Sequence, residues 1–273
     1  MVLGPRGTIL VILMALIALS GCEQGTNILA DALSPEDPEI EATPIEEISM
    51  EDPPSEPIME TVDAESVPVK MVWLVDYPLG GKEEYVAWIA SVAPMLLAPE
   101  ELNRAASYDN VDGSNPHRLV EFEFDSFADL AHYLNRPEIA AVSADMPNHT
   151  SSASTHIFIQ RGDYSKNEST SRKVKTVYLV DYPLGGKTEY LEWIAAIAPM
   201  LQAPEEVKRI ASYDNYYGVT PHRYVEFEFD SYEEANTYQE LPYVQQHVNA
   251  ELPNRTSRTS VLTFELRSDY VNE

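Results

Sequence analysis

VKMVWLVDYPLGGKEEYVAWIASVAPML, residues Val69–Leu96, returns 105 residues later as VKTVYLVDYPLGGKTEYLEWIAAIAPML, residues Val174–Leu201. The spacing holds through Pro242. One inserted residue then raises it to 106, so that Arg161, Asp163 and Tyr164 pair with Arg267, Asp269 and Tyr270. Each copy has the length of a small domain, and the duplication predicts two sister domains of one fold, residues 68–167 and 174–273.

The first copy reads as a regular series of elements. Val69–Tyr77 is β-branched and aromatic and stops at the turn signal Pro78–Gly81, which predicts a strand. Lys82–Leu96 carries Tyr85, Trp88, Ile89, Val92, Met95 and Leu96 at helical spacing, with Pro94 expected to kink or stop the helix. A strand over Leu102–Asn110, a hairpin loop at Val111–Pro116 and a strand over His117–Asp125 follow. In the last of these, Val120, Phe122 and Phe124 alternate with Leu119, Glu121 and Glu123. Ser126 is the expected N-cap of a second helix, Phe127–Asp145, broken at Pro137. A strand at about Ser154–Arg161 closes the unit. The order βαββαβ predicts an α+β, ferredoxin-like unit: a four-stranded antiparallel sheet with both helices on one face. The bare face must be covered, and the sister sheet is the expected cover, packed face to face.

With this order, the pattern YPLGGK-x-EY-x-x-W followed by PHR-x-VEFEFDS resembles the dimeric α+β barrel superfamily. That group includes antibiotic-biosynthesis-type monooxygenases, EthD-like proteins, stress-responsive barrels and NIPSNAP proteins. The resemblance implies a fused pseudo-dimeric barrel within a superfamily that includes cofactor-independent enzymes, and the internal pairing of the two sheets makes a monomer the default expectation.

The N-terminal region gives the chain an address. Arg6 precedes an apolar run, Ile9–Leu19, too short to span a bilayer comfortably, and Leu19-Ser-Gly-Cys22 follows. This resembles the bacterial lipoprotein signal, which implies cleavage after residue 21 and lipid on Cys22, the only cysteine in the chain. With Glu23 next, the resemblance favours the outer membrane. The expected location is the cell envelope, facing the periplasm or the exterior. A lone cysteine excludes an intramolecular disulfide and thiolate metal sites. Residues 22–67 read as a disordered acidic tether. Residues 23–67 hold 14 Asp and Glu and no Lys or Arg, about half of the net charge of −27, and include the proline-rich run Glu36–Pro57. Such a chain spans on the order of 35–40 Å. The acidity argues against nucleic acid and against adhesion to anionic lipid through the protein surface.

Candidate chemistry lies in the half of each repeat that the duplication kept most closely. Asp76 and Tyr77, with Asp181 and Tyr182, end the first strand. They either handle a proton at a cavity rim or cap the turn and pack. His117 and His222 start the third strand, where a histidine suits acid–base work near neutral pH; alternatively His117 simply hydrogen-bonds opposite Asn110. Trp88, Trp193, Tyr108 and Tyr213 either line a planar-ligand pocket between helix and sheet or belong to the core. Glu121 and Glu123 form either an acid–base pair or, with Arg104 opposite Glu123 and Arg209 opposite Glu228, cross-strand ion pairs.

Gly186-Lys187-Thr188 lacks the earlier glycine of a phosphate loop, since Asp181 stands there. Asp109, Asp112 and Gly113 suggest a calcium loop that the sister copy does not preserve. No metal, flavin or nucleotide cofactor is expected. The primary expectation is a lipid-anchored module that binds a small apolar or aromatic molecule or a protein. The alternatives are a cofactor-independent monooxygenase- or isomerase-like enzyme and a structural envelope protein.

Overall fold

The β-branched run Val69–Asp76 forms β1, ended by Pro78–Gly81, where the Gly81 N–H closes a turn onto the Pro78 carbonyl at 2.9 Å. Gly81 has φ 93°, a conformation that favours glycine. Helix α1, Lys82–Leu97, buries Tyr85, Trp88, Val92 and Leu96 on one stripe and continues through Pro94. Pro94 has no N–H to give the Ala90 carbonyl, so the helix runs on without that one bond. Strands β2, Arg104–Asn110, and β3, Arg118–Phe124, make the hairpin. Ser126 accepts the Asp129 N–H at 3.1 Å and starts α2, Phe127–Leu134; Pro137 begins α3, Pro137–Asp145. Strand β4, Ser152–Ser165, completes the repeat. The second copy gives β5 (Val174–Asp181), α4 (Lys187–Gln202), β6 (Arg209–Asn215), β7 (Arg223–Phe229), α5 (Tyr232–Glu240), short helical turns, and β8 (Arg258–Val271). This computed structural model describes residues 67–166, 172–183 and 186–272. The expected signal segment, Cys22 and nearly all of the tether lie outside the described residues.

The two bare sheet faces do meet, but as the lining of one closed barrel rather than as two stacked layers. The strand order is β1-β3-β2-β8-β5-β7-β6-β4. Closure follows from the length of β4 and β8, each 14 residues. The first half of β4 pairs with β1 (Val69↔Ile159 to Asp76↔Ser152), and its second half crosses to the sister repeat and pairs with β6 (Phe158↔Asn215 to Ser165↔Arg209). Strand β8 reciprocates on β5 and β2. Each repeat thereby lends the other a strand, and the expected end at Arg161 falls four residues short. The helices cover the outside of the barrel.

Strand alternation sorts the side chains. Val69, Met71, Trp73 and Val75 of β1 face the helices, whereas Lys70 and Val72 face inward. The barrel interior is apolar in part, with Val72, Leu119, Phe158, Tyr224 and Phe264. At its centre lie four fully buried charges, two from each repeat. Lys70 Nζ lies 3.2 Å from Glu121 and 2.8 Å from Glu226; Lys175 Nζ lies 2.7 Å from both. Tyr224 donates to Glu121 at 2.6 Å and Tyr213 to Glu226 at 3.0 Å. Burial alone would raise the Glu226 pKa, but Lys175, Lys70 and Arg209 outweigh it and hold the carboxyl well below its usual range. Arg104–Glu123 and Arg209–Glu228 face each other in the expected register, at 3.2 and 3.0 Å. Glu121 is a different case. It is not a cross-strand partner of arginine but a fully buried member of this quartet.

Candidate functional site

A cavity of about 240 Å³ lies between α4 and the outer barrel face of the second repeat. Tyr190, Trp193 and Ile194 come from the apolar stripe of α4, while Val225 and Phe227 come from the outward face of β7. Ile210 and Ser212 of β6 form the floor, and Gly162, Asp163 and Tyr164 of the first repeat's long β4 complete the edge. The cavity of one repeat is therefore built partly by the other. Tyr178 stands where the first repeat has Trp73, which is buried and packs edge-on to Phe122 at 4.7 Å.

The polar end of this cavity is set by Arg223, the only charged residue on the outward face of β7 and itself buried. Its guanidinium donates to Asp214 at 2.7 Å, and its Nε is buried without a partner. Asp214 also receives Lys187 at 3.2 Å, Arg161 at 3.2 Å and the Tyr182 hydroxyl at 3.1 Å. The first repeat repeats this hub. Asp109 receives Arg118 at 3.0 Å, Arg267 at 2.9 Å, Tyr77 at 2.9 Å and Lys82. Burial works against ionisation of both carboxyls, but the surrounding cations and hydroxyl prevail and lower both pKa values. Burial conversely pushes the Tyr182 hydroxyl up to about 12, so at neutral pH it stays a hydrogen-bond donor.

The residues singled out from sequence fall into three places. Trp193 lines the cavity; its sister Trp88 is stacked on His149 and donates to Asp145 at 3.1 Å. Tyr108 and Tyr213 are not beside the tryptophans. They point into the barrel, 4.5 Å from Lys175 and 4.7 Å from Lys70 respectively, because period-two alternation puts them on the face opposite Ser107 and Ser212.

Asp181 and His222 meet at 2.9 Å through Nδ1, and Arg258 secures the second carboxylate oxygen at 2.9 Å. In the first repeat Asp76 and His117 stand 3.5 Å apart, and the Tyr77 N–H donates to His117 Nδ1 at 3.4 Å. Neither Asp76 nor His117 is brought to the second repeat's cavity. Nor do Asp181 and His222 line that cavity; Tyr182 packs between His222 and the cavity-lining Tyr190, at ring separations of 5.7 and 5.3 Å. Sequence reasoning passed over Arg223, Ser212 and Tyr190. The available signal was Arg223 itself, a charge sharing a face with Val225 and Phe227. Among the described residues, no three His, Cys, Asp or Glu side chains gather where they could hold a metal ion.

No family model matches the chain, and no curated protein matches it. Solved structures do. An anthrone oxidase-like protein aligns with a TM-score of 0.60 at 12% identity, over 76% of this chain and 94% of its own. A monooxygenase candidate from Fusobacterium nucleatum aligns with a TM-score of 0.57 at 9% identity, over 76% and 95%. Another, from Lactobacillus acidophilus, aligns with 0.53 at 9% identity, over 75% and 96%. At such identities the likeness is one of fold. The barrel resemblance read from element order holds at that level, and no member family is assigned.

Proposed function

We propose that this chain binds a small aromatic or apolar molecule in the cavity of its second repeat, and that lipid on Cys22 holds it in the cell envelope. The cavity carries the binding reading. It has apolar and aromatic walls and a few polar groups gathered at Arg223 and Ser212, the composition expected of a small-molecule site. A neutral two-ring probe, 2-naphthamide, tests it on the full chain. At 100 times its Kd the probe adds about 2.7 kcal/mol to stability, which raises Tm by several degrees. Trp193→Ala should weaken binding by tenfold or more. Failure of both 2-naphthamide and its carboxylate analogue 2-naphthoate to shift Tm or to titrate would remove this reading.

A second reading, cofactor-independent oxidation of an aromatic, draws support from two observations. With Nδ1–H donating to Asp181, His222 Nε2 is left as a proton acceptor that Tyr182 separates from the cavity-lining Tyr190. The shared fold with an anthrone oxidase-like protein adds an analogy. Following a titration with 2-naphthol on an oxygen electrode separates the readings: saturable binding without oxygen uptake leaves binding alone.

A further inference from the structure

We infer that the second repeat's cavity selects an aromatic carboxylate, held between Arg223 and Ser212, and that the first repeat is closed to the same ligand. This rests on the binding reading above and goes further by assigning charge and location to the ligand.

The two repeats differ at the polar end of the space under the helix. In the first, Ser107 Oγ is fully engaged: it receives Arg118 Nη2 at 2.8 Å and lies 2.6 Å from Ser268 Oγ of β8. In the second, the residue matching Ser268 is Gly162. Ser212 Oγ there has no hydrogen-bond partner among the described residues; Arg223 Nε is buried without one, as Arg118 Nε is in the first repeat, so the repeats differ at the serine. A donor on the guanidinium and a hydroxyl beside it are what a carboxylate takes in a charge-assisted pair. Leaving the buried Nε unmade is costly unless something completes it, and the half-buried Ser212 hydroxyl beside it is free to share a ligand.

Charge supports the same ligand. Asp214 is surrounded by Arg161, Lys187 and Arg223, three cations on one carboxylate, in a chain whose net charge is −27. The local field at the cavity's polar end therefore favours an anion. The flat walls Trp193 and Phe227, with Ile194 beside them, favour a ring, and the volume, just below the roughly 300 Å³ at which drug-sized sites begin, limits it to one or two rings. In the first repeat the larger Trp73 stands in place of the equally buried Tyr178, and Ser268 stands in place of Gly162 and engages Ser107, so less ring space is left and the serine is already taken.

The test compares 2-naphthoate with 2-naphthamide by calorimetric titration of the full chain, wild type and Gly162→Ser. A Cβ at Gly162 would lie 3.3 Å from Ser212 Oγ, and the sister strand carries serine at this position, so the variant is compatible with the fold. One site per chain is expected, with the acid bound at least tenfold tighter than the amide. Gly162→Ser should abolish that preference. Equal affinities in the wild type, a preference that survives Gly162→Ser, or two sites per chain would overturn the inference while leaving a binding cavity in place. Binding of neither probe would overturn both.

Discussion

His156 shows how one side chain carries a pH dependence. It lies on the same face of β4 as the inward Phe158, with Nε2 3.0 Å from Ser154 Oγ and no carboxylate paired with it among the described residues. Burial lowers its pKa to about 4, below the ordinary value of about 6.5. The unfolded chain then takes up a proton that the folded chain refuses, so stability is complete above pH 6.5 and falls as pH drops towards 4. His156→Gln should remove a loss on the order of 1–3 kcal/mol in that window, seen as a flatter Tm against pH. An unchanged profile would place the acid sensitivity elsewhere. At this scale the sequence was an uneven guide. Trp193 was legible as a flat wall because it sits on a helical stripe. Arg223 was not, because a charge beside a histidine at a strand start looks solvated until its neighbours are known.

Among the elements, the strands decide more than the helices. The hairpin register was legible to the residue, with Asn110 opposite His117 and Arg104 opposite Glu123, since period two leaves one arrangement that keeps Phe122 and Phe124 on the helix side. The central quartet was not, because it takes β1, β3, β5 and β7 from both repeats to assemble Lys70, Glu121, Lys175 and Glu226. The signal was a lysine inside a mostly apolar strand, written twice. Lys175→Met leaves Glu121 and Glu226 short of a cation and should cost about 3–5 kcal/mol in chemical denaturation. Adding Glu121→Met restores neutrality and should recover most of that loss. If the double variant is as unstable as the sum of the two single changes, the quartet does not act as a unit.

At the scale of the whole molecule, duplication told of two like halves, but the exchange of strands lay hidden because β4 and β8 carry no turn signal where they leave one half for the other. The proposed lipid address concerns the chain as a whole as well. Labelled palmitate should enter the wild type and not Cys22→Ser, which should then leave the membrane fraction; labelling of the variant would refute the anchor. The strand exchange has one more consequence, in time rather than space. Pairs such as Arg104↔Val271 join residues 167 apart, so the barrel cannot close until its last strand is available. Until then the first half exposes the edge of β2 and the far end of β4, both ready to pair with any neighbouring chain. Under the envelope location proposed above, the chain crosses a membrane before it folds and gains from this arrangement. Its early half cannot lock into a finished barrel on the wrong side, although it depends on being shielded on the way.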